Sequence, residues 1–442
     1  MPNPILPLWE YIPDGEPRVF GDRVYIYGSH DSAAGTSFCD SKLKVWSASV
    51  DNLNEWQCHG HSFHTRPDRD HPSDTAEWTE NDLYAPDVVE KDGKYYLFAY
   101  IVGTKGCVGV SDKPEGPFKL LSRYTYDEKD AGDNGIYNDA GVLVDDDGRV
   151  YVYYGYTESY MNELEQDMHT VKPGSLKRPV MPDFDGTPED RRFFEASSIR
   201  KINGKYYFVY SPIKGSRLAY AISDSPTGPF EYKGYIIDNG NDYPAGNDHG
   251  SLCCIKGQWY IFYHRMTNNT ILSRRACVER VQILPDGTIP TVEMTSLGFD
   301  ESLNPYQITP AEICCVLKGG AFVTEKDVFT RVVTDIKAGC IIGYKYFDFG
   351  EDNSSKTYKL ALSVKGMGMD SKVHVLIDDY DNGEEIGVID VGTADGTYTG
   401  IVKAVTGRHA LYFKPELATT DWCTRYFTER TLFEFDKFVF LK

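Results

Sequence analysis

Five times before residue 300 a tight turn is followed by a strand rich in aromatic residues: Gly21-Asp22-Arg23-Val24-Tyr25, Gly93-Lys94-Tyr95-Tyr96, Gly148-Arg149-Val150-Tyr151, Gly204-Lys205-Tyr206-Tyr207 and Gly257-Gln258-Trp259-Tyr260. The aligned tyrosines are Tyr25, Tyr96, Tyr151, Tyr207 and Tyr260, and the last four recur at 55, 56 and 53 residues. In the fourth unit an apolar strand from Glu195 to Ile202 meets Asn203-Gly204 and then Tyr206-Tyr207-Phe208, a strong hairpin signal. A second repeat has the same period: Ser111-Asp112-Lys113-Pro114-Glu115-Gly116-Pro117-Phe118 returns as Ser223-Asp224-Ser225-Pro226-Thr227-Gly228-Pro229-Phe230, 112 residues later. A fixed period of this length marks a repeat architecture, and strands set radially around a channel protect the edges that one long sheet would expose.

The expected fold is therefore all-β, with a five-bladed β-propeller over residues 1–300. A linker over 301–310 follows, then short strands over 311–442 such as Tyr358 to Val364 and Phe433 to Leu441, expected as a β-sandwich of jelly-roll type.

Residues at one offset in every blade converge on the channel. Twelve before the aligned tyrosine stand Asp139, Glu195 and Asp248 in the third, fourth and fifth units. Three acids at one offset form a constellation, on the scale that two-carboxylate glycosidic chemistry requires. Asp14 stands eleven before Tyr25 and Asp87 nine before Tyr96, so strand parity places neither. Asp87, after Ala85-Pro86, reads as a turn cap, and Asp145-Asp146-Asp147-Gly148 as a turn. His249 either holds a water or cation in the channel or completes a core hydrogen-bond network. Arg274 and Arg275 face opposite ways along a strand, one toward the pocket and the other a surface charge. Trp78, in a polar loop, is either a stacking platform or ordinary packing.

With 66 acidic against 46 basic residues the net charge of -20 repels nucleic acid and anionic membrane surfaces. The 32 tyrosines suit both twisted sheets and sugar stacking. No run of about 18 apolar residues is present, and no basic segment leads into an apolar one at the start, so the expected location is the cytoplasm. Ten cysteines without a Cys-x-x-Cys pair read as buried free thiols rather than disulfides or a zinc site.

The pattern resembles the family 43 glycoside hydrolases over residues 1 to about 300. The resemblance rests on Asn3-Pro4-Ile5-Leu6, Asp14 with Tyr25-Ile26-Tyr27-Gly28-Ser29-His30-Asp31, Tyr84-Ala85-Pro86-Asp87, Asp139, Phe194-Glu195-Ala196-Ser197-Ser198 and Asn247-Asp248-His249-Gly250-Ser251. It implies Asp14 as general base, Asp139 as the acid that raises its partner's pKa and orients substrate, and Glu195 as general acid. Arg274, Asp31, Trp78 and Asp248 are the expected substrate-binding residues. His249 is expected beside one calcium ion on the propeller axis, held largely by water, with no organic cofactor. The region after 311 resembles a family 6 carbohydrate-binding module through Gly339 to Phe347, Gly407 to Phe413 and Phe433 to Phe438. The expected activity is inverting, exo-acting release of α-L-arabinofuranosyl units from hemicellulose oligosaccharides, with β-xylosidase as the alternative and a non-catalytic sugar-binding propeller as the rival of another class. Loops 31–40 and 66–84 are expected to shape the choice of terminal sugar.

Overall fold

The computed structural model describes residues 1–67, 69, 75–181, 187–352, 354–418 and 424–442; positions 68 and 70–74 of the second loop named above lie outside them. Among the described residues the fold is all-β, interrupted by short 3-10 turns and one α-helical turn at Thr424–Phe427. No described helix is long and apolar enough to cross a membrane.

The first part is a series of five antiparallel sheets. The first contains β1 (Glu16–Phe20), β2 (Arg23–Gly28), β3 (Lys42–Ser49) and β4 (Asn52–His64), and the second β5 (Leu83–Lys91), β6 (Lys94–Ile101), β7 (Cys107–Ser111) and β8 (Lys119–Arg123). The third contains β9 (Gly141–Val144), β10 (Val150–Tyr154) and β11 (Tyr160–Leu164), and the fourth β12 (Phe193–Ile202), β13 (Lys205–Pro212), β14 (Arg217–Ser223) and β15 (Glu231–Asp238). The fifth contains β16 (Ser251–Ile255), β17 (Gln258–Thr267) and β18 (Thr270–Val281). The aromatic strands of the repeat are the second strand of each sheet. Three hairpins of the repeat turn on two left-handed residues, Asp92-Gly93, Asn203-Gly204 and Lys256-Gly257, with φ of 52° and 76°, 51° and 78°, and 50° and 85°. That geometry matches strand twist and fixes the pairing Ile202 with Lys205.

The first strands follow one another around a common centre: β1 lies against β5 and β16, β5 against β9, β9 against β12, and β12 against β16. The repeated Ser-Asp-x-Pro segments stitch neighbouring sheets. The Tyr27 hydroxyl donates to the Pro114 carbonyl at 2.6 Å, and its counterpart Tyr153 donates to Pro226 at 2.5 Å. The centre is polar: Arg18 grips Asp87 with two hydrogen bonds of 2.9 and 2.6 Å, and Arg200 pairs with Glu16 at 2.9 Å. Asp87 is thus a buried strand residue in an ion pair and not a turn cap.

The remaining strands form two antiparallel sheets, one ordered Val316–Lys318, Ile341–Asp348, Arg408–Leu417, Ser371–Ile377, Glu384–Val391, and the other running from Phe322–Asp327 through Phe433–Leu441 to Gly396–Lys403. Their apolar faces meet through rings such as Phe413 and Phe438, with centroids 5.0 Å apart. Residues 301–310, expected as a linker, are built in, since Leu303 bridges to Phe347 and Thr309 pairs with Phe438. One apolar cluster joins Tyr207, Leu218 and Tyr263 of the first part to Ile313, Cys314 and Tyr344 of the second. The described cysteines are free thiols, mostly buried as expected, although Cys58 is exposed.

Candidate active site

The turns that precede the first strands aim side chains at one cavity. Asp14 lies just before β1 with φ of 57°, and Asp139 just before β9 with φ of 48°. Left-handed backbone is open to Asp because its short polar side chain hydrogen-bonds locally. Glu195 sits inside β12 where the pairing with β13 shifts register on both sides of it, next to Ala196 at φ 68°. A bulge of this kind re-aims one side chain without ending the strand. All three acids line a cavity of about 300 Å³, together with His249 and Arg274.

Asp14 is fully engaged. Arg274 Nη1 donates to its Oδ1 at 2.9 Å, and the Ser29 hydroxyl donates to its Oδ2 at 2.6 Å. Its own N–H donates to His264 Nδ1 at 3.3 Å, while His264 Nε2 lies 3.2 Å from the Asn247 carbonyl. These contacts define a neutral imidazole that donates from Nε2. Burial, reinforced by Arg274, pushes His264 down to about 3, so it is no ion-pair partner for Asp14 despite a 3.6 Å approach. Burial alone would raise the Asp14 pKa, but the Arg274 guanidinium, with His249 and the Ser29 hydroxyl, outweighs it and holds the carboxyl below its ordinary value.

Glu195 has the opposite balance. Burial and then the charge of Asp14 push it up to about 7, against a smaller opposing pull from Arg274. Asp139 is raised by burial and then by Glu195, and its Oδ2 accepts the Ala196 N–H at 3.2 Å. The two carboxyls titrate as a pair.

The other expected site residues divide. Arg274 lines the cavity, but its guanidinium is committed to Asp14 and, through Nε and Nη2 at 2.9 Å each, to Asp31. Asp31 lies behind that arginine and off the cavity wall, so it positions Arg274 rather than touching a ligand. Asp248 shares the offset of Asp139 and Glu195 but turns away from the cavity; its Oδ1 accepts the His249 N–H at 3.0 Å, and burial raises its carboxyl well above the ordinary range. Trp78 also lies off the cavity wall, with Arg123 3.9 Å over its ring and its indole N–H donating to Thr104. Arg275, expected at the surface, is 2% exposed, because the second part of the chain packs over that face of β18.

The aromatic walls are Phe38, Tyr84, Tyr100 and Tyr156. Spacing did not single these out. Tyr100 was accessible to it, since Tyr96, Phe98 and Tyr100 alternate along β6. Asp133, also on the wall, had no sequence signal. The donors near His249 do not make a calcium cage: Asp14 Oδ1, 3.8 Å from its Nδ1, already accepts from Arg274. Among the described residues no group of three or more carboxylate, imidazole or thiol side chains is arranged to hold a metal ion.

A low carboxyl and a raised one on the walls of a sugar-sized, aromatic-lined cavity are the equipment of a glycoside hydrolase. The family model for glycosyl hydrolases family 43 matches residues 1–289, and the chain belongs to that family. A xylosidase/arabinosidase of Thermoclostridium stercorarium is 36% identical, over 93% of this chain and 95% of its own. A family 43 arabinoxylan arabinofuranohydrolase from Bacillus subtilis, solved with cellotetraose, superposes on all of this chain and 97% of its own, with a TM-score of 0.52 at 23% identity. A family 43 β-xylosidase/α-arabinofuranosidase from a compost metagenome, solved with xylotriose, is 28% identical over 66% of this chain and 98% of its own, with a TM-score of 0.55.

Proposed function

We propose that the protein is an inverting, exo-acting α-L-arabinofuranosidase that removes terminal units from arabinoxylan or arabinan fragments. The observation that carries the mechanism is the opposite protonation tendency of Glu195 and Asp14 across one cavity. Glu195 gives its proton to the glycosidic oxygen as the bond from that oxygen to the anomeric carbon breaks. Asp14, ionised, takes a proton from a water that forms the new bond on the opposite face of the sugar. Asp139, which titrates with Glu195, is the proposed modulator and orients the sugar; burial and the charge of Asp14 keep Glu195 protonated, and Arg274 holds Asp14 in its charged form. A separation of about 6.5–9.5 Å between the Asp14 and Glu195 carboxyls belongs to this mechanism, leaving room for the water. A cavity of about 300 Å³ suits one terminal sugar better than an open chain.

In this reading the five sheets are the blades of a five-bladed propeller and the last two sheets a β-sandwich like a family 6 carbohydrate-binding module. A calcium ion beside His249 would be held by that imidazole with water, and no step is assigned to it. β-Xylosidase activity is the second reading, because relatives that carry the family resemblance are named for both activities.

The test is turnover of para-nitrophenyl arabinofuranoside against the xyloside, with the first-formed anomer identified by NMR. Faster xyloside turnover moves the assignment to β-xylosidase, and a product of retained configuration removes the proposed roles. For Asp14→Ala, azide should restore turnover of the aryl substrate and give a glycosyl azide of inverted configuration.

A further inference from the structure

Asp133 has no role in the mechanism above, yet it lines the cavity that holds Asp14, Asp139 and Glu195. Among the described residues on that wall only Asp133 and Asn247 have a buried side-chain oxygen without a hydrogen-bond partner. An unsatisfied buried polar atom costs about 1–3 kcal/mol, and such a cost is retained where a ligand supplies the partner. The backbone under Asp133 is also costly. Asp133, Asn134 and Tyr137 have φ of 48°, 52° and 60°, and Gly135 has 74°. Strained residues persist when their surroundings over-determine them. Here Tyr137 is clamped between Tyr124, with centroids 3.8 Å apart, and Tyr154, at 4.2 Å. The segment so fixed ends at Asn138 and Asp139, so one rigid turn sets both Asp133 and the proposed modulator.

We propose that Asp133 is a specificity-determining residue whose carboxylate accepts a hydrogen bond from a hydroxyl of the bound sugar. The inference rests on the reading of this cavity as the sugar site, though not on which sugar. Carboxylate acceptors make the stronger class of hydrogen bond, and a site built to bond a hydroxyl rejects the analogue that lacks it. Burial pushes Asp133 up to about 6, so it is largely an acceptor at pH 7.5.

The test is a cycle of substrate and side chain at pH 7.5. Wild type, Asp133→Asn and Asp133→Ala are assayed on whichever aryl glycoside the wild type hydrolyses, and on its mono-deoxy analogues. Asp133→Ala should lower kcat/KM for the parent sugar about 10- to 100-fold, and for one deoxy analogue less than 3-fold. Asp133→Asn should fall between, because it keeps a neutral acceptor. Equal losses on the parent and every deoxy analogue would make the residue structural and overturn the proposal, as would no loss on the parent. If the arabinofuranoside is inert and another glycoside is cleaved, only the substrate reading falls and the cycle runs on that glycoside.

Discussion

At the residue scale the site is a contrast between two carboxyls that share one cavity. Asp14 is surrounded by donors and positive charge, whereas the half-buried Glu195 carboxyl accepts no hydrogen bond from another protein group among the described residues. Glu195→Gln should therefore cost about 10²- to 10⁴-fold on a poor leaving group and far less on an activated aryl glycoside, which needs little protonation. Equal losses on both in steady-state assays would count against Glu195 as the acid. Its raised pKa sets a second expectation. The acid works only while protonated, so kcat/KM should be full below pH 7 and fall as pH rises through about 7. Asp139→Asn uncouples the pair, so that limb should then report Glu195 alone as a single-proton step. The same shift links to stability with the opposite sense from a salt-bridged acid. Glu195 is protonated in the folded chain at pH values where the unfolded chain, near 4.5, has released its proton, so folding loses stability as pH rises from about 4.5 to 7. Glu195→Gln should then raise Tm above pH 7 and leave it nearly unchanged below pH 4.5, a trade of activity for stability. Thermal melts across pH would expose the opposite trend if the sign were wrong.

At the element scale, the strands deliver those carboxyls through turns and bulges rather than through regular pleat. The equivalence of Asp139 and Glu195 was legible from their common distance to Tyr151 and Tyr207. Asp248 shares that distance and faces away, because it lacks the left-handed backbone that Asp139 has at the same offset and its Oδ1 is held by the His249 N–H. Asp14 failed the count and yet reaches the cavity, because left-handed backbone at that residue breaks the alternation. Gly141 is the pivot between β9 and β12: a Cβ there would meet the Ser197 carbonyl and the Ser198 Cα. Gly141→Ala should push these strands apart, displace Asp139 from the Ala196 N–H and lower kcat more than it raises KM. Unchanged kinetics would show that the pair does not depend on this approach. On β18, Arg274→Ala leaves Asp14 and Asp31 buried without their shared cation, which should cost about 3–5 kcal/mol in urea unfolding as well as activity.

At the scale of the molecule, the two parts are not separate bodies joined by a tether. The Arg331 guanidinium donates to the Leu8 carbonyl at 2.7 Å, the Tyr11 hydroxyl donates to Glu325 at 2.6 Å, and in the turn between β17 and β18 the Asn268 N–H donates to the Val323 carbonyl at 2.8 Å. With an apolar cluster that spans both, unfolding should be a single calorimetric transition. A chain cut after residue 300 should lose Tm or aggregate, because the outer faces of the fourth and fifth sheets would be bared. Two independent transitions, or a fully stable truncated chain, would refute this. The sequence pattern alone put a boundary at 301–310, since composition and repeat both change there. Nothing in a linear pattern tells whether a change of repeat is also a gap in packing.

What the sequence by itself determined is whatever depends on neighbours along the chain: the five hairpins with their Gly-containing turns, the all-β character, and the strand that carries Glu195. Those features follow from turn chemistry and alternation, which act over a few residues. Tertiary structure alone decided which acids meet, that Asp31 stands behind Arg274, that Asp248 and Trp78 leave the site, and that Phe38, Tyr84, Tyr100, Tyr156 and Asp133 complete it. These are encounters between separate sheets, where left-handed turns, bulges and buried ion pairs fix directions that no local period records.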